Sequence, residues 1–217
     1  MTIQELEKAE LTEGIAYIIG LMFPKQHEFN NLESRVYIRA PIGHNASHIT
    51  QDEITGHYSA VVDFLKDQNL INSVIIRPNK LGCVTVHRNE GFSILIEVTG
   101  NTPKQVSQIL SKKVQEISNS SKNIVKYFIR GCFDGRSSID KHSYYIALDV
   151  DSDYGRINLM SSILENYGLK VANNMRHDGE ARAVQFRVSK QSIREYYDTV
   201  GFFSIRRNND LKSILGL

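Results

Sequence analysis

The sequence predicts an α+β fold of two αββαββα units, one in each half of its 217 residues. Three observations predict it. Apolar residues recur at helical spacing and at alternate positions, in much the same order, twice along the chain. Several strand candidates carry one apolar and one polar face, as strands of a one-sided antiparallel sheet do. Turn signals separate them, at Asn79-Lys80 in the first half and His177-Asp178-Gly179 in the second.

In the first half, residues 12–23 (TEGIAYIIGLMF) read as a helix ended by Pro24. RVYIRAP reads as a strand, and a second strand is expected before Thr50. Residues 51–69 form the next helix. SVIIRP and GCVTVHR are strands around the Asn79-Lys80 turn, and GFSILIEVT is a third, one more than the second half shows. Residues 102–118 are a helix, with Thr102 as cap and Pro103 at its first position. The joint falls near residues 118–122 (SNSSK), so the expected units are 1–118 and 119–217.

The second half repeats the order more clearly. Residues 122–133 place Ile124, Val125, Phe128, Ile129, Cys132 and Phe133 at helical spacing, and Asp134-Gly135 reads as the turn that stops this helix. SSIDK and SYYIALDV are strands. Residues 153–167 are a helix that Gly168 stops, with Ile157, Met160, Ile163 and Leu164 on one face. LKVANNMR and EARAVQFRV form a hairpin. A short helix (KQSIREYYDTV) and a basic tail (SIRRNNDLKSILGL) close the chain.

Composition limits the function classes. Hydrophobic residues make up 41% and charged ones 23%, enough to bury a real core. The net charge of +2 permits a nucleic-acid partner without requiring one. Cys83 and Cys132 lie far apart with no CxxC spacing, which predicts a reducing, cytoplasmic setting with no zinc site and no disulfide. No apolar run approaches the ~20 residues of a membrane span, and MTIQELEKAEL is too charged for a secretory signal. Neither a GxGxxG nor a P-loop is present. His44 and His48 are spaced like metal ligands but flank a Gly/Asn/Ser loop. Asp149, Asp151 and Asp153 partly match a calcium loop, yet the glycine and terminal Glu are misplaced, so a strand end leading to an Asp helix cap is the better reading.

The stretch YFIRGCFDGRSSI, from Tyr127, resembles the signature helix of LAGLIDADG homing endonucleases. YIIGLMFPKQ, from Tyr17, resembles a second, more decayed copy. RVSKQSIREYYDTVGFFSIRRNNDLKSIL is similar to the usual ending of these proteins. The resemblance covers nearly the whole chain. It implies two signature helices packed through glycines at close-approach positions, which Gly20 and Gly131 fit. It implies two LAGLIDADG-like halves about a pseudo-twofold, each with a four-stranded sheet, forming a saddle over the DNA major groove. In that family an acid ends each signature helix and holds the divalent metals that activate water. Here those positions fall on Lys25 and Arg136, which are cations and cannot ligate a metal. Asp134 holds the earlier acidic position, which caps and packs in that family.

The polar strand faces supply the candidate DNA contacts. Arg35, Tyr37 and Arg39 oppose Val36 and Ile38. Arg77, Lys80, His87 and Arg88 belong to the next hairpin. Asn174, Arg176, Gln185 and Arg187 belong to the last one, joined by Arg182 on the same strand and Lys141 between two strands. Lys25 and Arg136 complete the set as neutralisers of phosphate charge. Arg suits guanine and Asn or Gln suits adenine, each bidentate pair worth about 1–3 kcal/mol of discrimination.

The expectation is a monomeric, catalytically inactive binder of double-stranded DNA with no cofactor. It would act as a regulator, or as the recognition module of a larger system such as restriction, fused to or associated with an effector domain. Two alternatives stay open: an active or nicking endonuclease with displaced Mg²⁺ ligands, drawing on Asp134 with Asp140 or Asp149, and an RNA-binding intron maturase.

Overall fold

The computed structural model describes residues 1–24, 29–32, 34–42, 51–78, 92–151, 154–178 and 181–217. Helix α1 (Ile3–Lys8) opens the chain and α2 (Glu13–Met22) follows. Strands β1 (Phe29–Leu32) and β2 (Arg35–Ile42) come next, then α3 (Gln51–Asp67), β3 (Ile75–Pro78), β4 (Phe92–Glu97) and α4 (Pro103–Ser118). The rest is α5 (Lys122–Arg136), β5 (Ser137–Asp140), β6 (Tyr145–Asp151), α6 (Tyr154–Tyr167), β7 (Val171–Asp178), β8 (Ala181–Val188), α7 (Lys190–Thr199) and α8 (Ile205–Leu215). The strands form two four-stranded antiparallel sheets, ordered β1-β2-β4-β3 and β5-β6-β8-β7. Within each sheet the hairpins are joined in the same way.

Local chemistry explains most boundaries. Thr12 caps α2 by accepting from the Ile15 N–H. Thr102 and Gln105 form a capping box on α4, with Pro103 in the first turn. Gly168 takes φ +104° after α6, where a side chain would be strained.

Three expectations change. Helix α1 was not expected, although its capping box is legible as Thr2 and Glu5, and it buries Ile3 and Leu6. Strand β1 precedes β2, and the two pair around Ser34 at φ 67°. The FNNL run has weak strand propensity, so pairing with β2 decides its state. The strand expected before Thr50 and the GCVTVHR strand lie outside the described residues. Helix α5 does not stop at Asp134-Gly135 but runs on to Arg136, with Ser137 as cap. The Asp-Gly turn signal loses because other groups satisfy the helix-end carbonyls, as described below.

The core is one continuous cluster drawing on both halves. At its centre α2 lies against α5. The two helices run in the same direction, since Asn123 donates to Glu13 near their starts and Gly20 meets Gly131 further along. A Cβ on Gly20 would run into the Phe128 carbonyl oxygen and come within 3.1 Å of Gly131 Cα. A Cβ on Gly131 would run into the Tyr17 carbonyl oxygen and come within 3.1 Å of Leu21 N. Only glycine permits this approach, and the blocking atoms are backbone that cannot swing away. We expect Gly131→Ala to cost about 3 kcal/mol or more in denaturant unfolding, or to prevent folding. Gly56→Ala, in α3 with nothing within 4 Å of the added Cβ, should instead gain about 0.5–1 kcal/mol. Equal effects at the two sites would disprove the close-approach account.

Candidate nucleic-acid interface

Parallel packing brings the C-terminal ends of α2 and α5 to the same end of the molecule. The Pro24 carbonyl, just past α2, accepts from the Asp151 N–H at the end of β6 (2.8 Å), so the first helix is tied to the second sheet. Arg136 is the last residue of α5 and is half-buried. As a cation in the last turn it faces the partial negative charge of the helix C-terminus, a favourable placement. Lys25 lies outside the described residues.

A buried polar cluster fixes the end of α5. Asp134 is 0% exposed. Its Oδ2 accepts from the Tyr17 hydroxyl (3.2 Å) and from the Phe203 N–H (3.4 Å), while Oδ1 is buried without a hydrogen-bond partner among the described residues. Arg207, on α8 and also buried, donates to the carbonyls of Phe133 (3.0 Å), Asp134 (3.1 Å) and Ser137 (3.2 Å). The Ser137 hydroxyl also donates to the Phe133 carbonyl (2.6 Å). These donors replace the turn that the Asp-Gly pair would have made. Burial pushes the Asp134 carboxyl up to about 6, against the opposing pull of Arg207, Arg130, the Phe203 N–H and the Tyr17 hydroxyl. Burial, reinforced by Arg207, lowers the His57 imidazole to about 3.

Among the described residues this donor set does not fit the divalent metal that the sequence resemblance implies. The position that would ligate it on α5 carries a guanidinium. The neighbouring carboxylate, Asp134, is turned inward between Tyr17 and Phe203 in the field of two arginines. Asp140 spends one oxygen on the His142 (2.9 Å) and Ser143 (2.8 Å) backbone N–H groups. Among the described residues no three His, Cys, Asp or Glu side chains gather as metal ligands.

The sheet registers sort the remaining candidates. In the first sheet Tyr37 pairs with Glu97, Arg39 with Leu95, Leu95 with Ile75, and Ser93 with Arg77. Registered partners share a face, so Arg35, Tyr37, Arg39 and Arg77 lie on one face. Arg35 and Arg77 are exposed and Arg39 half-buried. Arg35 is held by Glu97 at 3.5 Å, and Tyr37 is only 7% exposed, with little surface to offer a partner. Lys80, His87 and Arg88 lie outside the described residues.

In the second sheet Ala172 pairs with Arg187, Asn174 with Gln185, and Arg176 with Ala183. On the other side of β8, Arg187 pairs with Ala147 and Gln185 with Asp149. Positions 174, 176, 185 and 187 therefore share one face, and Asp149 and Asp151 share it too. The Arg187 guanidinium lies over the Tyr145 ring at 4.5 Å, which pre-orients it. Arg182 pairs with His177 on the same strand pair, at a backbone position of opposite parity to Arg187. Lys141 pairs with Asp210 of α8 at 2.5 Å, so part of its charge is already met.

Sequence reasoning missed Arg207 as a buried clamp, taking the tail as simply basic. It also missed the Tyr17–Asp134 bond, and the two carboxylates on the second polar face. The period-two pattern could have given the carboxylates, since Asp149 and Asp151 alternate with Leu148 and Val150. No local signal marks Arg207, whose partners lie about 70 residues away.

No family model and no curated protein matches the chain. Solved structures do. The homing endonuclease I-DmoI in complex with DNA and Ca is 16% identical, covering 94% of this chain and 99% of that one, with a TM-score of 0.55. I-DmoI in complex with DNA and Mn is 14% identical over 88% of this chain and 98% of that one, with a TM-score of 0.54. Full-length DUF199/WhiA from Thermatoga maritima is 13% identical, with a TM-score of 0.55; the match covers 99% of this chain but only 64% of WhiA. The chain has a LAGLIDADG-like fold: α+β, with two four-stranded antiparallel sheets and eight helices among the described residues. Among those residues no helix is long and apolar enough to cross a membrane.

The Asp134 cluster gives a pH test. The folded pKa lies above the unfolded value of 3.8, so the native state holds this proton more tightly. The resulting stability is full below about pH 4 and is lost as pH rises through about 6. Asp134→Asn lacks this titration. The stability of wild type minus that of Asp134→Asn should fall by on the order of 3 kcal/mol between pH 4 and 7. Urea melts across that range check it. A flat or rising difference contradicts the burial account.

Proposed function

We propose that this chain binds double-stranded DNA sequence-specifically through the polar faces of its two sheets and does not hydrolyse it. One observation carries the inactive reading. The glycine-mediated pairing of α2 with α5 is intact, yet α5 ends in the cation Arg136, where an acid is needed to hold a metal. The binding reading draws on neighbours of the same fold that are described in complex with DNA. It also draws on a polar face that groups Arg187, Gln185, Asn174 and Arg176 by register. These are residue types that read base edges, flanked by cations that meet phosphate.

In this reading the two halves are related by a pseudo-twofold running between α2 and α5. The matching strand orders and reciprocal glycine contacts support it. The sheets then follow the groove in tandem as one monomer. Arg136, with Lys25 on the other half, neutralises phosphate charge in place of a metal. The protein acts as a regulator or as the recognition module of a larger assembly, because a grip without chemistry needs a further consequence.

Selection of bound oligonucleotides from a random duplex pool, without metal, should return a defined motif. Arg187→Ala and Arg176→Ala should weaken binding to that motif by about 1–3 kcal/mol each and affect random duplex less. Mutants that bind every sequence as wild type does would remove the strand-face assignment. Site-specific nicks with Mg²⁺ or Mn²⁺, abolished by Asp134→Ala, would establish an enzyme instead. Tighter binding to structured RNA than to any duplex would establish the maturase reading.

A further inference from the structure

On the flank of α5 a cleft of about 610 Å³ opens between that helix, the C-terminal turn of α7 and the start of α8. It is not part of the interface described above. Lys126 and Arg130 supply its α5 wall and Lys212 its α8 wall. Arg130 stands six residues before Arg136, roughly 9 Å along the helix axis, and Lys126 roughly 15 Å.

The cleft carries more positive than negative charge. Its one carboxylate, Asp198, is paired with Arg194 at 2.7 Å. Neither Lys126 nor Lys212 has an ion-pair partner among the described residues, although Lys126 lies over the Tyr127 ring at 4.7 Å. The Arg130 guanidinium is pre-set: both Nε and Nη2 donate to the Val200 carbonyl, and its plane lies over Tyr127 (4.9 Å) and Phe203 (4.8 Å). It also meets the Tyr127 hydroxyl, so the group is ordered before any ligand arrives and its charge is met with little ordering cost. Asn209, exposed, adds neutral hydrogen-bonding capacity to the wall. Ile205, 68% exposed, adds an apolar contact.

We propose that this cleft docks an acidic peptide segment of a partner protein, with Asp or Glu side chains set against Lys126, Arg130 and Lys212 and an apolar side chain against Ile205. Charge complementarity selects an anionic occupant. The Asp198 carboxylate, the amide and the exposed apolar side chain favour a peptide of mixed character over a uniformly charged nucleic-acid backbone. The cleft is independent of the DNA reading. It would nevertheless give a DNA-bound molecule a way to recruit an effector.

The test is panning of random displayed peptides on the full chain, followed by anisotropy titration of the enriched peptides. The expected result is enrichment of Asp and Glu together with an apolar residue. Binding should weaken about tenfold or more in Lys126→Glu/Lys212→Glu and also with added salt. Asp198→Asn, which removes the one opposing charge, should tighten binding. Both variants should keep the wild-type melting temperature and duplex selection profile, so failure here is distinguishable from failure of the DNA reading. Peptides without acidic enrichment, equal binding to the charge-reversed variant, or weaker binding to Asp198→Asn each overturn the proposal. So does a labelled single-stranded oligonucleotide that competes for the cleft and binds more tightly than the peptides.

Discussion

Contact between the backbones of α2 and α5 is the constraint on which the rest of the structure depends. Helix pairs usually keep their axes 8–10 Å apart because side chains hold them there. At Gly20 and Gly131 no side chain intervenes, and each helix meets the other's carbonyl oxygens and amide nitrogens directly. The contact is reciprocal, so neither helix can slide without driving backbone into backbone. This sets the register between the halves. It also fixes where each helix ends relative to the sheet of the opposite half, as the Pro24–Asp151 hydrogen bond shows.

Close approach leaves polar groups buried where the pair ends, and the fold supplies partners for several of them from a distance. Tyr17 reaches from α2 to Asp134 on α5, and Arg207 reaches from α8 to the last carbonyls of α5. Aromatic rings close the same region. Phe64 of α3 stacks on Tyr127 of α5 at 4.8 Å, and Tyr17 meets Phe203 edge-on at 5.2 Å. The cluster therefore joins elements of both halves around one ionisable carboxylate. A group so placed makes stability depend on pH, while Arg207 and Ser137 hold the end of α5 without a glycine turn.

Much of this was legible in the sequence because it is written in local patterns. Capping residues, the proline at α4 and the glycine after α6 mark their boundaries by their own backbone chemistry. Gly20 and Gly131 were legible through resemblance, since spacing alone does not say that two helices touch. Other features were hidden because distant partners decide them. Strand β1 exists by pairing, against the preference of its asparagines. Gly135 is helical because Arg207 and Ser137 take the carbonyls that a turn would have exposed.

The end of α5 also links the proposed loss of chemistry to the folding of the molecule. A carboxylate in the last turn of a helix faces the partial negative charge of that helix's own carbonyls. The position is also half-buried, and burial would oppose its ionisation further. A divalent ion bound there would offset that repulsion. Arg136 reverses that sign. It interacts favourably with the helix end by about 0.3–1 kcal/mol, and it needs no ion to do so. On the reading proposed above, one change of residue type removes a metal ligand and, at the same time, the electrostatic need for a metal. On that same reading the helix pairing and the sheets it positions need no hydrolytic chemistry to persist.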